Sequence, residues 1–343
     1  MLAHTTLAIT PERVPLGILA QQVWARNPDD VGKRARRKHL PLGEKESLKW
    51  VTSLEAVIEE SLEHPKTHFI SIGDREADVY DLFLVSRPSN VDVLVRAAWN
   101  RRVQHPEDYL WAKAAAQPVA AVVTLEIPKR KDQPARQATL EVRFGSVLLR
   151  PPKHRRREKL PHVWVWFVFV VEPHPPDGVD PIEWLLLTTS GVHQLIDALC
   201  RLDWYCCRWG IEILHKVIKS GCRVEARHLQ TADRLKRCLA VFSVLAWRIL
   251  YATMLSRALP NAPCTAILDA DEWQALYCRI HQTTVLPPQP PTLRQAVHWI
   301  AKLGGFLGRK GDGEPGITVL WQGFMALTHL TAMYHILRSS PPK

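Results

Sequence analysis

Between Leu195 and Lys219 four chemically distinct side chains, Tyr205, Arg208, Glu212 and Lys219, recur at steps of three, four and seven residues. At about 3.6 residues per turn those steps return to one side of an α-helix, so the spacing predicts one polar stripe about four turns long. Leu195, Leu199, Leu202, Cys206, Ile213 and Val217 repeat at helical spacing and would bury another face. That leaves phenol, guanidinium, carboxylate and ammonium beside a cleft or solvent. A solvated face crossed by ion pairs such as Arg208 with Glu212 is the plain alternative reading.

Lys and Arg exceed Asp and Glu by 45 to 34, a formal charge of +11, which favours a polyanionic partner or an anionic surface. The longest run considered for the bilayer, Val163 to Val171, is nine residues against the ~18 needed to span it, which argues against membrane insertion. The opening M-L-A-H-T-T has no basic region followed by an apolar core, so a cytosolic location is expected. The cysteines (200, 206, 207, 222, 238, 264 and 278) number seven and form no C-x-x-C pair, so reduced packing thiols are expected.

His4 to Trp24 reads as two strands joined by a turn around Pro11 to Arg13. A polar loop from Asn27 to Gly43 follows, carrying Lys33, Arg34, Arg36, Arg37 and Lys38, either a solvated loop or a contact for a phosphate backbone. Glu44 to Leu62 is helical by period, and Thr67 to Ile72 is a strand running into D-R-E-A-D, so Asp74 falls at a strand's C-terminal end, where ligands collect in α/β sheets. A helix to about Leu84 and a strand from Val91 to Arg96 complete a β-β-α-β-α-β order that suits a mixed sheet with helices on its faces. From Arg101 the texture changes to an all-β insertion, with strands at 119–127, 138–144, 147–150, 162–172 and 184–189. Basic clusters lie between them at 129–131 and 153–159, solvated tips or grips for a duplex. Thr231 caps a long helix that ends before Pro260, and two closing segments follow at 292–307 and 319–337.

The order Tyr205-x2-Arg208-x3-Glu212-x6-Lys219, with Asp74 opening D-R-E-A-D upstream, resembles the signature of the DDE transposases of bacterial insertion sequences, specifically the insertion-sequence-four family. W-L-L-L-T-T from Trp184, L-G-G-F at 303–306 and L-W-Q-G-F at 320–324 extend the resemblance over nearly all of the chain. It implies a ribonuclease-H-like mixed sheet with helices on both faces, interrupted by the insertion and followed by a helical C-terminal region. The corresponding domains are 1–100 and 191–260 for the core, 101–190 for the all-β insertion and 261–343 for the C-terminal region.

The resemblance also implies function. Asp74 and Glu212 would be the second and third catalytic carboxylates, binding Mg²⁺ or Mn²⁺, with two ions in a complete site. Tyr205, Arg208 and Lys219 would hold DNA phosphates, with His215 and Lys216 as adjacent candidates, and Trp184 would stack on a base flipped from the duplex. The expected partners are double-stranded DNA, transposon ends and target, and a second copy of the chain or an intact transposase. The family's first aspartate lies on a strand ahead of the hairpin, so an N-terminally truncated chain with two of three ligands is the expectation, and Asp29 and Asp30 do not replace the missing acid. A non-catalytic DNA-binding remnant that pairs with intact transposase, and a generic metal-dependent nuclease, are the alternatives. Gly210, in the middle of the signature, costs about 1 kcal/mol of helix propensity against Ala and is expected to be otherwise neutral.

Overall fold

The computed structural model describes residues 2–25, 46–104, 108–127, 134–221, 224 and 229–339. The basic loop residues at 33–38, Asp29, Asp30, the cluster at 129–131 and Cys222 lie outside them. The remaining six cysteines are not joined in disulfides. The chain divides into two compact units, Trp24–Arg208 and Ala3–Val23 with Trp209–Lys343.

The first unit is built on a six-stranded sheet. Its strands are β3 (Phe69–Gly73), β4 (Val91–Arg96), β5 (Ala121–Ile127), β6 (Arg136–Leu149), β7 (Val163–Val171) and β8 (Glu183–Thr188), and their spatial order is β3-β4-β8-β7-β6-β5. β3 and β4 run parallel, in register from Phe69↔Val91 to Gly73↔Val95. Every other pairing is antiparallel. The strands of the predicted insertion therefore continue the sheet that holds Asp74, through the β8–β4 ladder. β7 shows why its sequence is apolar throughout instead of alternating: Val165, Phe167, Val168 and Val170 are all buried, so both faces of this strand are covered.

Two strands expected at 138–144 and 147–150 are one strand, β6. Gly145, which lies between the two expected strands, sits opposite Phe167 in the ladder, and a Cβ there would come within 3.0 Å of the Phe167 ring. This glycine makes room for an aromatic ring and not for a turn. Helix α1 (Leu48–Glu63) packs on β3 and β4, burying Val51, Leu54 and Val57. The short helix α2 (Tyr80–Leu84) follows the D-R-E-A-D turn. A short helix absent from the sequence reading, α3 (Leu110–Ala115), packs on β6 and β7. Helix α4 (Leu195–Cys207) contacts β4, β6 and β7 and opens with a capping box between Gln194 and Asp197.

In the second unit β1 (Leu2–Ile9) and β2 (Pro15–Trp24) form a two-stranded sheet of their own. The sequence reading placed this hairpin in the mixed sheet, but its contacts are with a helix. Trp247 Nε1 donates to Pro15 O at 2.9 Å, and Gln21 Nε2 donates to Ser243 Oγ at 2.9 Å. The helices are α5 (Trp209–Lys216), α6 (Ala232–Ala258), α7 (Ala270–His281), α8 (Leu293–Leu303) and α9 (Ile317–Ser339). Thr231 Oγ1 accepts from Arg234 N at 3.3 Å, the predicted cap of α6. α7 was missed, although Asp269 and Glu272 form a capping box at its start. Judged by an 18-residue window and not by unbroken runs, α6 has a mean hydropathy of 1.8 and is long and apolar enough to cross a bilayer, contrary to the run-length reading. It supplies Ala246, Ile249, Leu250 and Ala252 to a core shared with Leu276, Val297, Ile300 and Leu320.

L-G-G-F and L-W-Q-G-F meet where α8 ends against α9. A Cβ on Gly304 would lie 1.9 Å from Val319 O, and one on Gly323 would lie 1.9 Å from Ile300 O. Both helices approach backbone to backbone here, and only glycine fits.

Candidate active site

β3 is a short strand of Phe, Ile and Ser that ends at Gly73, and the chain must turn sharply there. A Cβ on Gly73 would sit 2.2 Å from Ala77 Cβ, so the glycine lets the D-R-E-A-D turn fold back tightly over the strand end. Asp74 is then the N-cap of a 3₁₀ turn over Arg75–Ala77, and its Oδ1 accepts from Glu76 N at 2.9 Å. The carboxylate is half-buried. The second aspartate of the motif has a different fate. Asp78, with its side chain fully buried, accepts from Ala98 N at 2.8 Å, from Trp99 N at 3.0 Å and from Arg101 Nη2 at 2.6 Å. It ties the turn after β3 to the loop after β4.

Parallel pairing places Gly73 level with Val95, so Arg96 is the β4 counterpart of Asp74. The sequence reading missed Arg96; the signal was available, because it is the last residue of a strand adjacent to the one that carries Asp74. Its Nη2 donates to Glu183 O at 2.8 Å, while its Nε is buried without a hydrogen-bond partner among the described residues. Burial chiefly lowers its pKa, opposed by Tyr205 and reinforced by the neighbouring charges of Arg75 and Arg208.

Tyr205 organises this cluster from α4. Its ring is buried, with the Trp184 ring edge-on at 5.4 Å and the Arg208 guanidinium 5.8 Å from its centroid. The guanidiniums of Arg96 and Arg208 are close enough to act electrostatically on its hydroxyl. Burial raises the phenol pKa above its usual value against the opposing pull of these two cations, and Asp74 is close enough to add to the rise. The phenol therefore keeps its proton and holds two guanidiniums at the strand end beside Asp74. Trp184, predicted to stack on a base, is 8% exposed and packs on Tyr205.

The predicted single stripe is broken. α4 ends at Cys207, Arg208 caps it with an Arg208 N to Tyr205 O bond of 3.1 Å, and α5 starts at Trp209. A wide π-turn over Val217–Gly221 then carries Lys219. The break and the widened turn shift the phase of the pattern, so the four residues do not lie on one uninterrupted helix. Tyr205 and Arg208 belong to the first compact unit, and Glu212, His215, Lys216 and Lys219 to the second. A Cβ on Gly210 would lie 2.7 Å from Ile9 Cδ1, the far end of a side chain of the hairpin.

Glu212, Lys216 and Lys219 are exposed. His215 is half-buried, and burial lowers its pKa; Lys219 adds to the drop and Glu212 opposes it, so acid, imidazole and ammonium form one interacting group. Near neutral pH the imidazole is uncharged. Among the described residues no group of three or more His, Cys, Asp and Glu is assembled to hold a metal ion. The available donors are carboxylate oxygens, which suit Mg²⁺ or Mn²⁺, and Mg²⁺ commonly takes one or two carboxylates and completes its shell with water and substrate phosphate.

Residues 244–339, from within α6 to the end of α9, match the family model described as the Transposase Tn5 dimerisation domain. The match supports a Tn5-type transposase and the formation of a dimer.

Proposed function

We propose that the protein is a DDE transposase of the insertion-sequence-four family, which cleaves transposon ends and joins them to target DNA by metal-dependent phosphoryl transfer in the cytosol. The observation that carries the proposal is the grouping of Arg96 and Arg208 about Tyr205, with Asp74 beside the phenol and Arg75 near Arg96. Guanidiniums gathered at a strand end form a phosphate-binding surface, and the match at 244–339 supplies the biological context.

In this reading Arg96 and Arg208 grip phosphate oxygens next to the scissile bond, each held in direction by Tyr205. Arg96 contributes its buried Nε, a donor that a phosphate oxygen would satisfy. Lys219 and Lys216 add point charges, and His215, neutral near pH 7, adds a hydrogen bond without charge. By the resemblance, Asp74 and Glu212 would each offer a carboxylate to a divalent ion, which when bound would activate a water or a 3′-hydroxyl and stabilise the leaving oxygen. Trp184 buttresses the ring of Tyr205.

The test is Mg²⁺-dependent nicking and joining of linear duplexes that carry the ends of the element encoding this chain. Asp74→Ala and Glu212→Ala are each expected to reduce product at least ~100-fold while leaving duplex retention intact. Cleavage that survives both substitutions would overturn the proposal. Cleavage without joined product indicates a nuclease, and salt-dependent duplex retention without any turnover indicates a DNA-binding partner of an active transposase.

A further inference from the structure

The loop after β4 presents a large apolar side chain to solvent on a backbone that is fixed from several sides. Trp99 is 65% exposed. Its own N–H and that of Ala98 both donate to the buried Oδ2 of Asp78, at 3.0 and 2.8 Å. Arg101 N donates to Trp99 O at 2.9 Å, Trp111 N donates to Asn100 Oδ1 at 3.1 Å, and Leu110 N donates to Arg101 O at 2.9 Å. Arg101, itself 8% exposed in its side chain, closes the arrangement by donating to the Asp78 carboxylate. An exposed tryptophan on a loose loop needs no explanation. Here buried charge and several main-chain hydrogen bonds are used to hold one indole in place.

The surroundings indicate what the indole meets. Trp99 lies three positions beyond Arg96, at the end of the sheet where Arg75, Arg96 and Arg208 gather near Asp74. Arg102 follows in the same loop, its guanidinium 5.9 Å from the Tyr109 ring centroid. A planar π-face in the loop that follows Arg96 and precedes Arg102 matches a nucleotide, with a face for the base and charges along the same strand end for the phosphate. A continuous duplex offers no free base face, whereas an unpaired base at a DNA end does. Two other nearby indoles are already engaged: Trp184 packs on Tyr205, and Trp111 Nε1 donates to Glu183 Oε1 at 2.7 Å.

We propose that Trp99 is a stacking platform for an unpaired nucleobase at a DNA end. The proposal rests on the DNA-transposase reading and adds a residue and a substrate feature to it. The test measures binding of two duplexes of equal length, one flush and one ending in an unpaired 2-aminopurine, to the wild-type chain, Trp99→Ala and Trp99→Phe. Trp99→Ala is expected to lose roughly 5- to 100-fold in affinity for the overhang duplex and to lose the quenching of its fluorescence. Affinity for the flush duplex should be unchanged, and Trp99→Phe, which keeps a π-face, should stay close to wild type. Equal losses on both duplexes, or no loss on either, would overturn the Trp99 proposal and leave the transposase reading standing. A wild-type chain that retains neither duplex at low salt overturns both.

Discussion

Tyr205 holds its hydroxyl among two guanidiniums, and phenylalanine there would keep the ring edge against Trp184 while removing the oxygen. Because Arg96 is half-buried and would lose a polar neighbour, Tyr205→Phe is expected to cost about 1–3 kcal/mol of stability in urea unfolding and to weaken duplex binding. Unchanged stability would mean that the guanidiniums do not depend on the phenol. His215 gives a pH signature. Its folded pKa lies below the ordinary 6.5, so between those values the unfolded chain takes up a proton that the folded chain refuses. Stability present above about pH 6.5 should therefore fall as the pH drops through that window, and His215→Gln should flatten the slope. Asp74, Tyr205 and Arg208 were legible because a motif marks them. Arg96 was missed: its place at the end of an expected strand could be read, but that this strand pairs with the one carrying Asp74 could not. Trp184 was legible as a position, but its burial depends on the ring of Tyr205 from another element.

At the scale of elements, the Asp78–Arg101 pair joins two strand-end loops. Asp78→Ala leaves Arg101 buried without its carboxylate, and about 3–5 kcal/mol of stability should be lost, measured as a shift in the urea midpoint. A loss below 1 kcal/mol would show that the loop after β4 is held by its other hydrogen bonds. Periodicity and capping were enough for α6, where Thr231 and the apolar repeat fixed the start. They failed between Tyr205 and Lys219, since a 3.6-residue repeat cannot register a break at Arg208 or a widened turn at Val217–Gly221. They also split β6 into two strands at 138–144 and 147–150, where Gly145 admits Phe167 and the strand runs on.

For the whole molecule, the match at 244–339 bears on assembly. α9 exposes Met325, Met333, Ile336 and Leu337 along one side of the helix. The chain is expected to have the mass of two copies by light scattering at micromolar concentration, and Met333→Asp with Leu337→Asp to give one copy without a change in melting temperature. A single-copy mass for the wild type would remove this role from α9. Dimer formation could be expected from family resemblance, and the helical C-terminal region from the apolar repeats. The place of the N-terminal hairpin could not, since strand pattern alone does not say which partner a strand will find. One further consequence follows from Gly304 and Gly323. Wherever side chains interdigitate, a helix crossing can drift as residues are exchanged, but here main chain meets main chain and the gap has a single setting. The two glycines act as a caliper, and the direction in which α9 offers its apolar side is calibrated by two methyl groups that are not there.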